Sequence, residues 1–528
     1  MRKIKNSALL VLSLTAACSL TACFGKKTDN KDGADDATKV VFWSSFGGAY
    51  TGVLDGICSS ISQAKGIEIE HKSQHSYDNI LSEMTSAIAL EDYPYIAQGY
   101  PDHFATYLSA GILNPIDEFL TDEIRNDYFD AYMKENKFYD ASGKAEHTYA
   151  LPFNKSTEVL GYNGVFVDYC ASIDPSLATL PETWEEWAGT KGQAYNTIFF
   201  DLINNNAKIY GKQDENGHLT SVHRDTPAAG EKLLLSFSAD NKDTSRLMSW
   251  DATDNAFITL TRQWDAEYTS LPDSENSKPI VRRAGHIRFT ETSNKAKVVS
   301  MLKFFNNLSK KQMFGVPAEL GNNYSSEAFA NNKVMFMVCS SGGLSYNNTE
   351  GAWNRRFRIA PIPYKDASHK YVISQGANIC MTDKGDPAKN FEVMRALTSD
   401  DFQAEWCLQT GYYPCSKSAT NNAKYQAFLA EEKYPESATG AVSATRVAYR
   451  EGSQINSNYY MNEALNWNKF VDPAFVGSSE IRTAVKPIFR NVFSDIDLAH
   501  IDDTSLYEAK ITGVINSTIR DSVTIVVD

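Results

Sequence analysis

Cysteine is scarce and unpatterned in this chain: eight are spread over 528 residues, with no C-x-x-C spacing. Neither a zinc site nor a dense disulfide scaffold is indicated. Positive charge is also short, with 51 Lys and Arg against 65 Asp and Glu, a formal net charge of −14. A chain this acidic repels phosphate backbones, which argues against general nucleic-acid binding. Long apolar runs are confined to the extreme N-terminus, and mean hydropathy is −0.37. A polytopic membrane protein is therefore excluded. The patterns G-x-x-x-x-G-K-[ST], G-x-G-x-x-G after a strand, H-E-x-x-H and G-x-S-x-G are all missing, so nucleotide, zinc-protease and serine-hydrolase signatures give no lead. His71 and His75 are four apart, but Glu70 to Lys72 reads as a strand and no further ligands join them. No metal and no cofactor is expected.

What is present describes a folded globular chain. Hydrophobic residues make up 42% and charged residues 22%, and the length accommodates about two to four domains or two large lobes. Arg2, Lys3 and Lys5 precede a short apolar stretch, Ala8 to Ala17, and then Leu20-Thr21-Ala22-Cys23. The stretch is too short to span a bilayer comfortably and reads as a signal peptide. An aliphatic residue, two small residues and a cysteine form a lipobox, which predicts residues 1–22 as a lipoprotein signal peptide and Cys23 as the lipidated residue. Cys18 lacks the aliphatic residue. Removing three positive residues with the signal brings the net charge to −17. Residues 23–38 are polar and rich in Gly, Asp and Lys, a flexible tether. Six cysteines remain: Cys58, Cys170, Cys339, Cys380, Cys407 and Cys415. They suit small buried hydrophobes, with room for one or two disulfides outside the cytoplasm.

The body opens as strand–helix–strand–helix–strand. Lys39 to Phe46 and Gly66 to Lys72 read as strands, Thr51 to Ala64 and Tyr77 to Glu91 as helices, and Tyr95 to Gln98 as a short strand. This alternation predicts an α/β lobe with a mostly parallel sheet. Ligands of such sheets sit beyond the carboxyl ends of the strands, which places Trp43, Ser44, Tyr77 and Tyr100 near one edge. Thr148 to Asn163 reads as two extended runs around a polar turn. Thr183 is a predicted N-cap with Glu186 as its capping-box partner. Ala228 to Phe237 looks helical, Phe329 to Ser341 is a helix end, turn and buried strand, and Phe357 to Ile362 and Val372 to Met381 are strands. Phe391 to Gln409 holds two helices, the second capped by Ser399 and closed by Gly411. Glu480 to Phe493 and Thr504 to Ser522 are closing helices.

Four blocks in this order carry a resemblance. They are VVFWSSFGG with the Tyr77–Glu91 helix; YALPFNKSTEVLGYN followed by LPETWEEW; FANNKVMFMVCSSGGL; and VISQGANICMTDKGDPAKNFEVMRALTSDDFQAEWCLQTGYYPCSKSA. Together they span roughly residues 39 to 419, and the sequence resembles the family 1 extracellular solute-binding proteins of bacterial ABC importers, in the glycerol-3-phosphate and disaccharide branch. The resemblance implies a two-lobed, type II periplasmic-binding-protein-like α/β fold, each lobe a mostly parallel sheet flanked by helices, with the ligand between the lobes. It implies an N-terminal lobe of residues 39–151 and 374–414 and a C-terminal lobe of residues 152–373 and 415–528. Crossings fall near Pro152, Ser374 and Pro414. The stretch from about 190 to 330 is longer than usual for the family.

A sugar offers hydroxyls at its rim and C–H groups on its face, so its site needs aromatic platforms and short polar groups. By the resemblance, the matched positions are Trp43, Ser44, Tyr77, Tyr100, Asp102, Asn154, Ser156, Ser340, Ser341, Gly376 and Tyr412, with Trp250 and Asp251 from the second lobe. Pro101 departs from an acidic residue common in the branch. The phosphate-binding branch carries an arginine where Ala474 and Phe475 stand here, and Arg450 and Arg482 are unmatched. A dianion needs a guanidinium fork or many N–H donors, so this departure and the acidic balance point to a neutral saccharide.

The resulting expectation is a monomeric, lipid-anchored substrate-binding protein on the extracellular face of the bacterial cytoplasmic membrane. It binds a mono- or oligosaccharide, closes by hinge motion and delivers the sugar to an ABC permease without breaking a bond. The rival readings are a polyol-phosphate or peptide binder of the same fold, a tethered surface glycosidase or sugar lyase, and a binding fold reused as an adhesin.

Overall fold

The computed structural model describes residues 39–140, 145–214, 219–271, 285–347, 357–431 and 444–518, all within one compact unit, Thr38–Asp528. Cys23, the signal peptide and the tether lie outside the described residues. Among those described, no helix is long and apolar enough to cross a membrane.

Ten strands form the main sheet: β1 (Lys39–Ser44), β2 (Glu68–Ser73), β3 (Ile96–Gly99), β4 (Ala150–Asn163), β5 (Met248–Trp250), β6 (Phe314–Gly315), β7 (Phe336–Ser340), β8 (Phe357–Ala360), β9 (Tyr371–Met381) and β10 (Asn468–Phe470). Their order is β6-β5-β7-β4-β9-β3-β1-β2, with β8 also on β4 and β10 also on β9. Both ends are parallel, as the strand–helix alternation predicts: β1 pairs with β2 and β3, and β5 with β6 and β7. The middle is antiparallel, because β4 and β9 run against each other and against their outer neighbours β7 and β3.

Residues 148–163 thus contain one long strand rather than two runs around a turn. Asn154, Lys155, Ser156, Thr157 and Glu158 look like a polar turn, yet all are buried. Residues 154–157 pair with β9, from Ala377↔Asn154 to Ser374↔Thr157, and Glu158 pairs with Ser340 of β7. The register slips between Ala377 and Asn378, a bulge that bends the strand.

Three hydrophobic clusters flank this sheet. The largest draws on the end of β4, the start of β9, β5 to β8 and the chain from Phe475 to Val514. Two others gather β1 and β3, the helices α1 (Ala49–Lys65), α2 (Tyr77–Ala89) and α3 (Pro101–Ser109), and the end of β9. Strands β4 and β9 therefore start in one core and finish in another, and the crossings expected near Pro152 and Ser374 fall on them.

Local signals explain the elements that bear the site. Ser76 caps α2 by accepting from Asn79 N at 3.1 Å. Pro101 opens α3 at a position where a missing N–H costs nothing, which leaves Tyr100 extended outside the helix. The Thr183–Glu186 capping box is present, and Gly411 closes α5 (Asp400–Thr410) at φ 78. Ser399 is the N-cap of α5, but its hydroxyl donates to Ala396 O instead of capping. The helix read in Ala228 to Phe237 is instead strand Lys232–Ser236 of a three-stranded antiparallel sheet in which Lys208–Gln213 is central and Leu219–Arg224 is the other edge. Two further helices, α6 (Ala444–Ile455) and α7 (Ser478–Val485), follow near the C-terminus.

Candidate functional site

A cavity of about 360 Å³ opens where β9 meets the starts of α2 and α3, helix α4 (Thr253–Gln263) and α7. Four of the sequence-predicted residues, Tyr77, Tyr100, Asp102 and Gly376, line it. The Tyr77 and Tyr100 rings lie 4.4 Å apart, tilted by 42°. Asn154 stands behind them and donates to Tyr77 Oη at 2.9 Å, while its Oδ1 accepts from Gln98 at 2.7 Å. Gln98 in turn accepts from the backbone N–H and hydroxyl of Ser45. This buried chain fixes the Tyr77 ring. Burial raises the Tyr77 and Tyr100 phenols, so both stay protonated at neutral pH.

Gly376 has φ 97, and a Cβ there would sit 1.9 Å from Asn154 O. Its carbonyl accepts from Lys155 Nζ at 3.1 Å. Lys155 is fully buried and ion-paired with Glu135, which also lines the cavity.

The remaining predicted residues do not line the cavity itself. Ser44 is buried and bonds His71 Nε2 at 2.7 Å. Trp43 packs partly buried against the β3–α3 core, its Nε1 unpartnered. Ser156 is buried in register with Gln375. Ser340 accepts from Gly342 N, and Ser341 accepts from Thr157 N. Tyr412 stands behind the wall, stacked on Trp406 at 5.9 Å and 18° under Gly342, with its hydroxyl hydrogen-bonded to that of Tyr77. Trp250 is fully buried, stacked on Trp184, and donates to Glu158 at 2.7 Å; it is a core residue rather than part of the cavity wall. Asp251 accepts from Ser325 N at 2.7 Å and so satisfies the first N–H of helix Ser325–Ala330.

Most of the opposite wall escaped the sequence reading. Arg482 on α7 lines the cavity, so an arginine does stand at the site. It donates to Asn255 Oδ1 and lies 3.5 Å from Asp254 and 3.4 Å from Asp472. Burial opposes its charge, but those carboxylates outweigh that and raise its pKa. Burial raises the Asp472 carboxyl, and Arg482 pulls it back. Several polar atoms of lining residues have no partner among the described residues: His103 Nδ1, Tyr268 Oη, Thr269 Oγ1, Ser374 Oγ and Asp472 Oδ1. His103, Tyr268 and Thr269 are all more than nine-tenths buried. Burial lowers the His103 pKa, which leaves it neutral. The available signal was the lone Arg482 within the amphipathic run SSEIRTAV, but its reach into the cavity depends on α7 folding back against α4.

Among the described residues no cluster of His, Cys, Asp or Glu has the makings of a metal site. The sequence pattern of the bacterial extracellular solute-binding proteins matches residues 57–435, well over half of the chain. The chain belongs to this family. This solute-binding protein is 25% identical over 424 residues to the sn-glycerol-3-phosphate-binding periplasmic protein UgpB of Escherichia coli K12, covering 78% of this chain and 81% of that one. It is 23% identical over 419 residues to UgpB of Yersinia enterocolitica, covering 78% and 80%. In fold it is similar to the GacH receptor of Streptomyces glaucescens, solved unliganded and with acarbose (TM-score 0.59, 12% identity, 91% of this chain and 99% of that one). It is equally similar to UgpB of Mycobacterium tuberculosis in complex with glycerophosphocholine (TM-score 0.59, 15% identity, 90% and 98%). The maltose-binding-type neighbours and the continuous α/β sheet agree with the expected two-lobed fold.

Proposed function

We propose that the chain is the lipid-anchored binding component of an ABC importer. It holds a mono- or oligosaccharide in the cavity, closes two lobes over it and delivers it to the permease at the extracellular face of the membrane. The lobes are residues 39–151 with 374–414 and residues 152–373 with 415–528, hinged on β4 and β9. Separate hydrophobic cores at the two ends of these strands support that division. The lining residues belong to the site by this reading, and Asn154 acts through Tyr77. The reading requires no catalytic group.

The observation that carries the ligand class is the cavity wall itself. Two tilted tyrosine faces stand with unpartnered, buried Tyr268 Oη, Thr269 Oγ1 and His103 Nδ1. Buried polar atoms without partners are costly, and a hydroxyl-rich ligand satisfies them. A second reading, a polyol phosphate, is favoured by Arg482 and Lys486 in the wall and by the named ligand of the UgpB relatives. Against it, the Arg482 guanidinium is already bonded to Asn255 and flanked by two carboxylates, so a dianion would meet Asp102, Asp254 and Asp472 at close quarters.

A thermal-shift screen of the protein against sugars, polyols, glycerol phosphates and peptides tests both readings. A ligand at 100 times its Kd stabilises by about 2.7 kcal/mol. A saccharide shift that disappears in Tyr77→Ala is expected. A shift with glycerol phosphates alone would overturn the saccharide reading in favour of the second.

A further inference from the structure

The cavity holds more negative charge than its positive groups balance. Exposed Asp78 and Lys486 add one charge of each sign to the lining. Glu135 is matched by the buried Lys155. Deeper in the wall, three partly buried carboxylates, Asp102, Asp254 and Asp472, face two guanidinium charges, Arg482 in the wall and Arg262 behind it, which also acts on Asp472. The Arg482 guanidinium is committed to Asn255 and shared between Asp254 and Asp472. Among the described residues, Asp472 Oδ1 has no hydrogen-bond partner, and the Asp102 carboxylate accepts from the backbone N–H of His103. Tyr268 Oη and Thr269 Oγ1, both deeply buried and unpartnered, line the same wall.

Ligand binding would strip the remaining water from Asp102 and Asp254, while Asp472 Oδ1 is already buried without a partner. Desolvating a carboxylate without a counter-charge is expensive, so a neutral sugar would leave that cost unmet. A protonated nitrogen on the ligand supplies the missing charge through N–H donors to Asp472 Oδ1 and Asp102, and it is also attracted to the faces of Tyr77 and Tyr100. The unpartnered hydroxyls of Tyr268 and Thr269 remain for the ligand's own hydroxyls.

We infer that the ligand is a saccharide bearing a protonated amine, an amino sugar, recognised by Asp102, Asp254 and Asp472. This inference rests on the saccharide reading and narrows it.

The test is calorimetric titration of the full chain with D-glucosamine, N-acetyl-D-glucosamine, D-glucose and sn-glycerol-3-phosphate at neutral pH. The expected result is D-glucosamine binding at least about tenfold tighter than either uncharged sugar. In Asp472→Asn, and separately in Asp254→Asn, that ratio is expected to fall below about threefold. The wild-type comparison stands even if a variant fails to fold. Equal or tighter binding of D-glucose or N-acetyl-D-glucosamine overturns the amine inference and leaves the saccharide reading in place. Binding of sn-glycerol-3-phosphate alone overturns both, and no binding by any of the four also overturns the inference.

Discussion

Gly376 is held to glycine by the strand that pairs with it. The resemblance matches it to a ligand-binding position. It does line the cavity, but the close approach is to its own neighbour, Asn154 O, and at φ 97 only glycine is unstrained. Gly376→Ala would combine a left-handed alanine with a backbone clash that no side-chain rotation relieves. A loss of about 3 kcal/mol or more is expected in urea unfolding; a loss under about 1 kcal/mol would mean that β4 and β9 separate easily there. Glu158, buried on β4, accepts from Trp250 Nε1 at 2.7 Å and Thr259 at 3.4 Å. Burial pushes its carboxyl from 4.5 up to about 8. Between those values the folded chain holds a proton that the unfolded chain has released. Stability is therefore lost as pH rises through this window, by up to about 1.4 kcal/mol per pH unit, with no further loss from this group above pH 8. Glu158→Gln keeps an acceptor for Trp250 and removes the titration. Urea midpoints at pH 5, 7 and 9 should fall less steeply with pH in the variant; identical slopes would contradict the assignment.

Among the elements, legibility followed the range of the forces involved. The Thr183–Glu186 capping box and the Gly411 helix end are local devices, and both stand as the sequence predicts. Strand β4 was misread because the polar run from Asn154 to Glu158 is buried only through pairing with distant β9 and β7. The run KLLLS looks helical because a short apolar stretch carries no decisive period; its antiparallel pairing with Lys208–Gln213 makes it a strand. Of the site, the wall carried by α2, α3 and β9 was legible. The wall carried by α4 and α7 was not, since Arg482 and Asp254 meet only through tertiary packing. One element-level contact was invisible in sequence. Tyr50, on α1, places its hydroxyl 3.1 Å from Gly342 O, 3.0 Å from Ser345 Oγ and 3.3 Å from both Thr410 O and Tyr449 Oη. Tyr449 on α6 belongs to the large core, whereas α1 packs in another, so this hydroxyl ties the two. Tyr50→Phe should cost about 1–2 kcal/mol in chemical unfolding, the usual penalty for orphaning such a group. A change within about 0.5 kcal/mol, typical of surface sites, would rule out a tie of this kind.

At the scale of the whole fold, the cores among the described residues are built without covalent staples. Cys58, Cys170, Cys339, Cys380, Cys407 and Cys415 are all free and buried, spread through all three hydrophobic clusters. Burial pushes the thiols of Cys58 and Cys415 up to about 12 and raises the other four as well. Thiols that are buried and protonated at neutral pH are poor nucleophiles, so they resist both alkylation and oxidation. The sequence left room for one or two disulfides, but a chain of this size needs none, because its packed interior supplies the stabilisation that small extracellular domains take from cross-links. Two consequences can be measured. Adding a reductant should leave the Tm unchanged. Titration with a thiol reagent should label none of these six in the native state and all six after denaturation, whatever the state of Cys18 and Cys23. Rapid labelling of Cys58 alone in the native protein would indicate local opening of α1, and a Tm that falls on reduction would require a bridge that the geometry of these six residues does not contain.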